Sequence, residues 1–306
     1  MIEQPFGFLR STEKCVVVRN ASFMPTLTGS AFCAARFHTD EGSRCGACQP
    51  FADPAALNYH PKGIKMKITR YSTALDIPNT LRFAVIADLH ARPTNELWEL
   101  TRAEKPDAIL MPGDIFDTRG KREDTLRFIK TAAEYYPVFC SLGNHDRLIC
   151  DADRKALADA GAALLDNSSV CFGGLQIGGL TSGFFSEYRT DIEKTPPPDL
   201  KWLYSFAAGK EPRLLLCHHP EYYPDYIQKT QVELTVSGHA HGGQWNIFGR
   251  GVFAPGQGLF PRYTAGDYDG GRLIVSRGVT NTVKVPRFFN PTEIVVIDIS
   301  PKRGES

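Results

Sequence analysis

Five short apolar runs, each leading directly into Asp, Asn or His, most constrain what this chain can fold into. They are "LRFAVIAD" (81–88), "PDAILMPGD" (106–114), "PVFCSLGNHD" (137–146), "RLLLCHH" (213–219) and "VELTVSGH" (232–239). A short, unbroken apolar run suits a strand covered on both faces, because neither face can be left polar. Between the first three lie "TNELWELTRAE" (94–104) and "KREDTLRFIKTAAEYY" (121–136), whose apolar residues recur at helical spacing. Further helices are predicted over 152–160 and 221–229, and late strands in "GGRLIVSRG" and "TEIVVIDIS". Strand–helix alternation of this kind predicts an α/β fold with parallel βαβ units.

The first 65 residues read differently. They mix small, polar and aromatic residues with several breakers and sustain neither period. The expected division is therefore a poorly ordered extension over 1–65 and one folded domain over 66–301. The extension holds Cys33, His38, Cys45 and Cys48, but their spacing fits no common zinc module and a single CxxC pair carries little weight. Cys140 and Cys217 sit inside apolar strands, where a buried, reduced thiol is expected.

Composition narrows the partners. A net charge of +1 lacks the basic footprint of a protein that grips a long nucleic acid. No apolar run reaches the roughly 18 residues that span a bilayer. The opening "MIEQPFGFLRSTEKC" lacks a basic stretch followed by an apolar core, so the expected location is cytoplasmic, with peripheral membrane contact left open.

The chemistry lies at the strand exits. They deliver Asp88 and His90, then Asp114 and Asp117, then Asn144, His145 and Asp146, then His218 and His219, and finally His239 and His241. In open α/β sheets the ligand crevice lies beyond the carboxyl ends of the strands. Carboxylate, amide and imidazole together suit Mn, Fe, Zn or Mg rather than a soft ion. There are more ligands than one ion needs, and a bridging carboxylate can hold two cations about 3.5–4 Å apart. Singly, each of these residues has a bland reading, since Asn and Asp stabilise turns and buried histidines are commonly structural. Five such exits in succession make that reading untenable for the set.

"DLH", "GDIFD", "GNHD", "HHP" and "GHAH", in that order, resemble the five signatures of the calcineurin-like metallophosphoesterases. The later "GHAHGGQWNIFGRGVFAPGQGLFPRYTAGDY", "LIVSRGV" and "PRFFNPTEIVVIDI" are similar to the bacterial YkuE/YaeI-like phosphodiesterase branch. The resemblance implies a four-layer α-β-β-α sandwich of two mixed sheets. It implies two divalent metal ions: Asp88, His90 and His241 on the first, Asp114 bridging, and Asn144, His218 and His239 on the second. His218 is taken over His219 because the family's ligand stands two residues before the proline. His145 is implied as general acid or charge stabiliser, with Asp146 orienting it and Asp117 bonding a ligand histidine or the loop backbone. Gly242 and Gly243 are expected to keep bulk away from the substrate.

The activity implied by the resemblance is that of a dimetal hydrolase of phosphoester bonds, foremost a phosphodiesterase using a metal-bridging hydroxide on a small phosphoester. One alternative is a pyrophosphatase of a nucleotide-linked lipid such as UDP-2,3-diacylglucosamine, which exposed aromatics near "GLFPRY" would suit. Another is a non-catalytic scaffold, which the complete ligand set argues against. Arg147 is a candidate phosphate contact. Arg262 and Tyr263 either line the pocket or merely close the domain.

Overall fold

A computed structural model describes residues 66–117, 120–183, 195–282 and 286–302. The expectations for 1–65, including Cys33, His38, Cys45 and Cys48, lie outside them. The chain begins with β1 (Lys67–Leu75), β2 (Leu81–Val85), α1 (Asn95–Ala103), β3 (Ala108–Pro112), α2 (Arg122–Ala133) and β4 (Val138–Ser141). It continues through α3 (Asp151–Asp159), β5 (Ala162–Leu164), β6 (Ser168–Phe172), β7 (Leu175–Leu180), α4 (Leu200–Ala207), β8 (Arg213–Cys217) and β9 (Leu234–Ser237). Two small hairpins come next, β10 (Asn246–Ile247) with β11 (Arg250–Gly251), and β12 (Phe253–Ala254) with β13 (Gly258–Leu259). The last strands are β14 (Gly266–Tyr268), β15 (Leu273–Val275) and β16 (Glu293–Pro301).

These strands form two six-stranded sheets, ordered β1-β16-β2-β3-β4-β5 and β14-β15-β9-β8-β7-β6. The expected parallel units hold for β2 through β5, and for β7, β8, β9 and β15. Antiparallel pairs then make both sheets mixed. β16 returns antiparallel against β2, β6 against β7, and β14 against β15.

The unbroken apolar runs have the cause proposed for them. In β2, Phe83 and Val85 face the space between the sheets with Leu110, Ile177, Leu214, Leu216 and Val236. Ala84 and the following Ile86 face the opposite way, against Leu97 and Trp98 of α1 and Phe128 and Ile129 of α2. On the far side, Leu215 and Cys217 of β8 pack with Leu203 and Phe206 of α4. Successive side chains alternate faces, so a strand sandwiched between two apolar layers must be apolar throughout. The result is the four-layer sandwich. Phe172 meets Phe83 and Phe139 edge-on at centroid distances of 6.1 and 5.4 Å, pinning one sheet to the other.

Local chemistry starts the helices. The Thr94 side chain accepts from the Leu97 amide at 3.0 Å, and the Asp199 side chain accepts from the Trp202 amide at 3.0 Å. These N-caps satisfy amides that the first helical turn leaves over. The helix expected over 221–229 is instead one wide turn, Tyr223–Ile227, in which the Gln228 amide donates to the Tyr223 carbonyl at 2.8 Å. Pro220 precedes this turn and Pro224 lies inside it, and neither can donate to a helical ladder. Cys140 and Cys217 are free and buried, as expected.

Candidate metal centre

The strand exits make abrupt turns. Asp88, His90, Asp114, His239 and His241 all adopt left-handed backbone, with φ from 46° to 65°. Such conformations cost non-glycine residues on the order of 1–3 kcal/mol each and persist only where the surroundings enforce them. Here the turns bring side chains from both sheets back over the strand ends.

Four groups with donor atoms within 4.8 Å of one another result among the described residues: Asp88, His90 and His241; Asp114, His218 and His239; and, overlapping these, His90, Asp117 and His145, and His219, Glu221 and His239. In the first, Asp88 Oδ1 lies 3.9 Å from His90 Nε2 and 3.7 Å from His241 Nε2, while the His90 and His241 rings stack at 5.5 Å. In the second, His218 Nε2 lies 3.1 Å from Asp114 Oδ2, and the His218 and His239 rings are 5.0 Å apart. The same Asp114 Oδ2 lies 3.5 Å from His90 Nε2 and so stands between the clusters. Asn144 is buried at the exit of β4, next to His145, whose amide donates to Asp114 Oδ1 at 2.9 Å. The His145 ring is partly exposed and meets the His90 ring edge-on at 4.8 Å.

Buried polar atoms test whether this cradle suits cations. Asp88 Oδ2, His90 Nε2 and His239 Nε2 are buried without a hydrogen-bond partner among the described residues. Leaving such atoms unsatisfied costs about 1–3 kcal/mol apiece. Cations among them would remove that cost, and the oxygen and nitrogen donors match borderline or hard divalent ions.

The electrostatics agree. Burial alone would push the Asp114 carboxyl up, but the neighbouring His218, His145 and His90 hold it well below the usual carboxylate range. Burial pushes Asp88 up, against the pull of His218 and His90. His239 and His241 are both driven well below the ordinary imidazole value by burial, with His219 adding to the first and Arg287 to the second. Both shifts favour the neutral ring, the form that ligates. Burial also opposes protonation of His218, but the Asp114 and Asp88 charges prevail and push it up to about 10.

Surrounding residues fix these orientations. His218 Nδ1 donates to the Pro112 carbonyl at 2.8 Å, turning Nε2 toward Asp114. Asp117 Oδ2 lies 3.5 Å from His90 Nδ1, in the place expected of a carboxylate supporting a ligand histidine. Thr280 Oγ1 donates to the Asp88 carbonyl at 2.7 Å, and the His239 amide donates to Asp88 Oδ1 at 3.0 Å. Arg287, itself buried, donates to His241 Nδ1 at 3.0 Å and to the Arg277 carbonyl at 2.6 Å.

Several expectations change. Asp146 does not serve to orient His145. Its carboxylate accepts from the backbone amides of Gly143 at 2.9 Å, Phe116 at 2.9 Å and Ile115 at 3.2 Å, so it ties two ligand loops together. Burial and the Asp114 charge push it up to about 6, against the pull of those amides. The His219 ring nitrogens meet Ser182 Oγ at 2.7 Å and Glu221 Oε1 at 3.1 Å. Gly242 and Gly243 are small for a different reason. A Cβ would lie 2.1 Å from Asn290 Oδ1 at the first and 2.3 Å from the Gly251 Cα at the second, and both have positive φ. Tyr263 is buried against Tyr268 at 5.1 Å with Arg262 over its ring at 5.2 Å, an arrangement that closes the domain. The Arg147 side chain lies outside the described residues.

Glu221, Thr280, Arg287 and Asn290 escaped the sequence reading. Glu221 accepts from Thr195 Oγ1 at 2.5 Å and lies 3.8 Å from His239 Nε2. Burial raises its carboxyl, but His219 and His239 lower it further, to about 2. Its place directly after "HHP" was a usable signal. The other three had none, because they lie far along the chain from the strand exits they support.

A two-sheet sandwich that gathers oxygen and nitrogen donors from five strand exits defines a metal-binding α/β protein. The profile of the calcineurin-like phosphoesterases matches residues 81–243, and the chain belongs to that family. An uncharacterized metallophosphoesterase of Campylobacter jejuni is 27% identical over 252 residues, covering 76% of this chain and 63% of its own length. An uncharacterized metallophosphoesterase of Helicobacter pylori (strain J99) is 24% identical over 265 residues, covering 81% of this chain and 69% of its own. The uncharacterized metallophosphoesterase YkuE of Bacillus subtilis is 30% identical over 206 residues, covering 64% and 68%. Thus the chain spans less than two thirds of the Campylobacter relative. Among the described residues, no helix is long and apolar enough to cross a membrane.

Proposed function

We propose that this chain is a metal-dependent hydrolase of phosphoesters, and within that class a phosphodiesterase with two cations. The carrying observation is Asp114 Oδ2, 3.5 Å from His90 Nε2 and 3.1 Å from His218 Nε2, a carboxylate set between two ligand clusters. Asp88, His90 and His241 would hold one ion and Asn144, His218 and His239 the other, with Asp114 shared. When bound, two divalent cations generate a nucleophile from water near neutral pH and polarise the phosphoryl oxygen.

The chain's own residues do the rest. Asp117 and Pro112 hold the His90 and His218 rings, as Asp146 holds the loops carrying Asp114 and Asn144. His145 is partly exposed beside His90, where an imidazole can give a proton to the departing oxygen.

The test is metal analysis of the purified full chain joined to a panel of phosphodiesters, phosphomonoesters and nucleotide-sugar pyrophosphates, each with Mn, Fe, Zn or Mg. Turnover of diesters above monoesters supports the reading. Preference for the pyrophosphate would move the substrate class. Two bound equivalents with no turnover on any phosphoester would make the chain a binding module.

A further inference from the structure

The metal centre has an apolar rim built in an unusual way. Eight of the eleven exposed large hydrophobic residues among those described fall in 245–260 and 288–289: Trp245, Ile247, Phe248, Phe253, Leu259, Phe260, Phe288 and Phe289. Monomer surfaces rarely gather apolar side chains this way without a partner. The two stretches form one platform. The Trp245 indole donates to the Pro286 carbonyl at 3.0 Å, and the Asn246 amide to the Phe288 carbonyl at 2.9 Å. The platform is rooted in the site, since Asn290 Nδ2 donates to the His241 carbonyl at 2.7 Å and Arg287 reaches the His241 ring.

Its tips are strained. Phe248, Phe260 and Phe289 have φ of 51°, 51° and 49° and relative exposures of 101%, 73% and 78%. Phe248 occupies the first position of the two-residue turn between β10 and β11, before Gly249 at φ 82°. Such turns favour Asn or Gly, which bear the left-handed conformation at little cost. A phenylalanine there accepts backbone strain and presents its ring fully to solvent.

Charge indicates the occupant. Residues 242–266 contain Arg250 and Arg262 and no Asp or Glu, and residues 281–292 contain no acid either, in a chain with 34 acidic residues. Arg250 and Arg262 are exposed. Aromatic tips flanked by Arg250 and Arg262, in stretches free of acid up to Asp267 and Glu293, match the surface of an anionic bilayer, where rings enter the headgroup region and arginines meet lipid phosphates.

We infer that the rim formed by the β10–β13 hairpins and the Phe288–Phe289 loop docks on anionic membranes, presenting the metal cleft to the bilayer surface. The test is flotation of the full chain with vesicles of phosphatidylcholine alone and of phosphatidylcholine mixed with phosphatidylglycerol, at low and high salt. Cofloating with the anionic vesicles, weakened by salt, is the expected result. The Phe248→Ser/Phe260→Ser/Phe289→Ser variant should lose that partition by about tenfold or more. An Arg250→Gln/Arg262→Gln variant should lose the preference for anionic lipid. Circular dichroism and metal content matching the wild type would show the variants folded. Wild-type protein left behind by anionic vesicles overturns the inference, as does a triple-Ser variant that floats equally well. If the wild type fails to float but sediments as a dimer that the triple substitution dissociates, the rim serves a second copy of the chain instead. Flotation is scored without turnover, so it succeeds or fails independently of the phosphodiesterase reading.

Discussion

The two sheets bring unlike chemistry to a common edge. Through β2, β3 and β4, the first supplies Asp88, His90, Asp114, Asn144 and His145, and with them every carboxylate of the candidate ligand set. Through β8 and β9, the second supplies only imidazoles: His218, His239 and His241. One half sets the negative charge, the other adds mostly neutral nitrogen, and neither half closes a site. His241 completes the first-sheet cluster and Asp114 the second-sheet one. The sheets must therefore pack correctly before either cluster is complete.

Asp114→Ala attacks this arrangement where the halves meet and should have the largest effect. Both metal equivalents should fall together, and turnover with them, as read by elemental analysis and by hydrolysis of a chromogenic diester. Loss of a single equivalent would show that the sheets hold their ions separately. Next comes His145→Ala, which should lower kcat about 10²–10⁴-fold while metal content stays near wild type. Equal loss of both would make His145 a ligand support instead.

Asp117→Ala, which removes the carboxylate beside His90, should weaken metal affinity about 10–100-fold. Competition with a chelator would measure it, and the conservative Asp117→Glu should recover part of the loss.

Proton competition sharpens the contrast from the second sheet. His218, pushed up to about 10 before a cation arrives, is protonated at neutral pH. Its ligand form is the neutral ring, so uptake should release a proton and affinity should rise as pH increases toward that value. Calorimetry in buffers of different ionisation enthalpy would detect the proton; zero release would mean that His218 does not ligate.

The smallest effect belongs to the rim. Phe248→Gly should relieve about 1–2 kcal/mol of left-handed strain, raising Tm by a few degrees in a domain of this size. The same change should weaken vesicle flotation. An unchanged or lower Tm would show that the Phe248 ring contributes contacts that outweigh its backbone strain.

Much of this centre was legible before any coordinates. Strands covered on both faces must be apolar along their whole length, so "AVIADLH" and "LTVSGHAH" declared both a strand and its exit. β6 and β7 were not legible, because "SSVCF" and "LQIGGL" are short and rich in small residues; β16 was legible as a strand, but not its place against β2, since it joins the first sheet from the far end of the chain. Asp146 misled because its neighbour in sequence is His145, whereas its partners include amides 30 and 31 residues away.

Local sequence determined which residues end each strand, and hence the donors available to a metal. Which of these donors come within reach of one another depends on tertiary structure. Residue spacing constrains neighbours along one strand, whereas the His90–Asp114–His218 junction depends on strand order, left-handed turns and the packing of one sheet upon another. Those long-range contacts leave no period in the sequence, because each is made once.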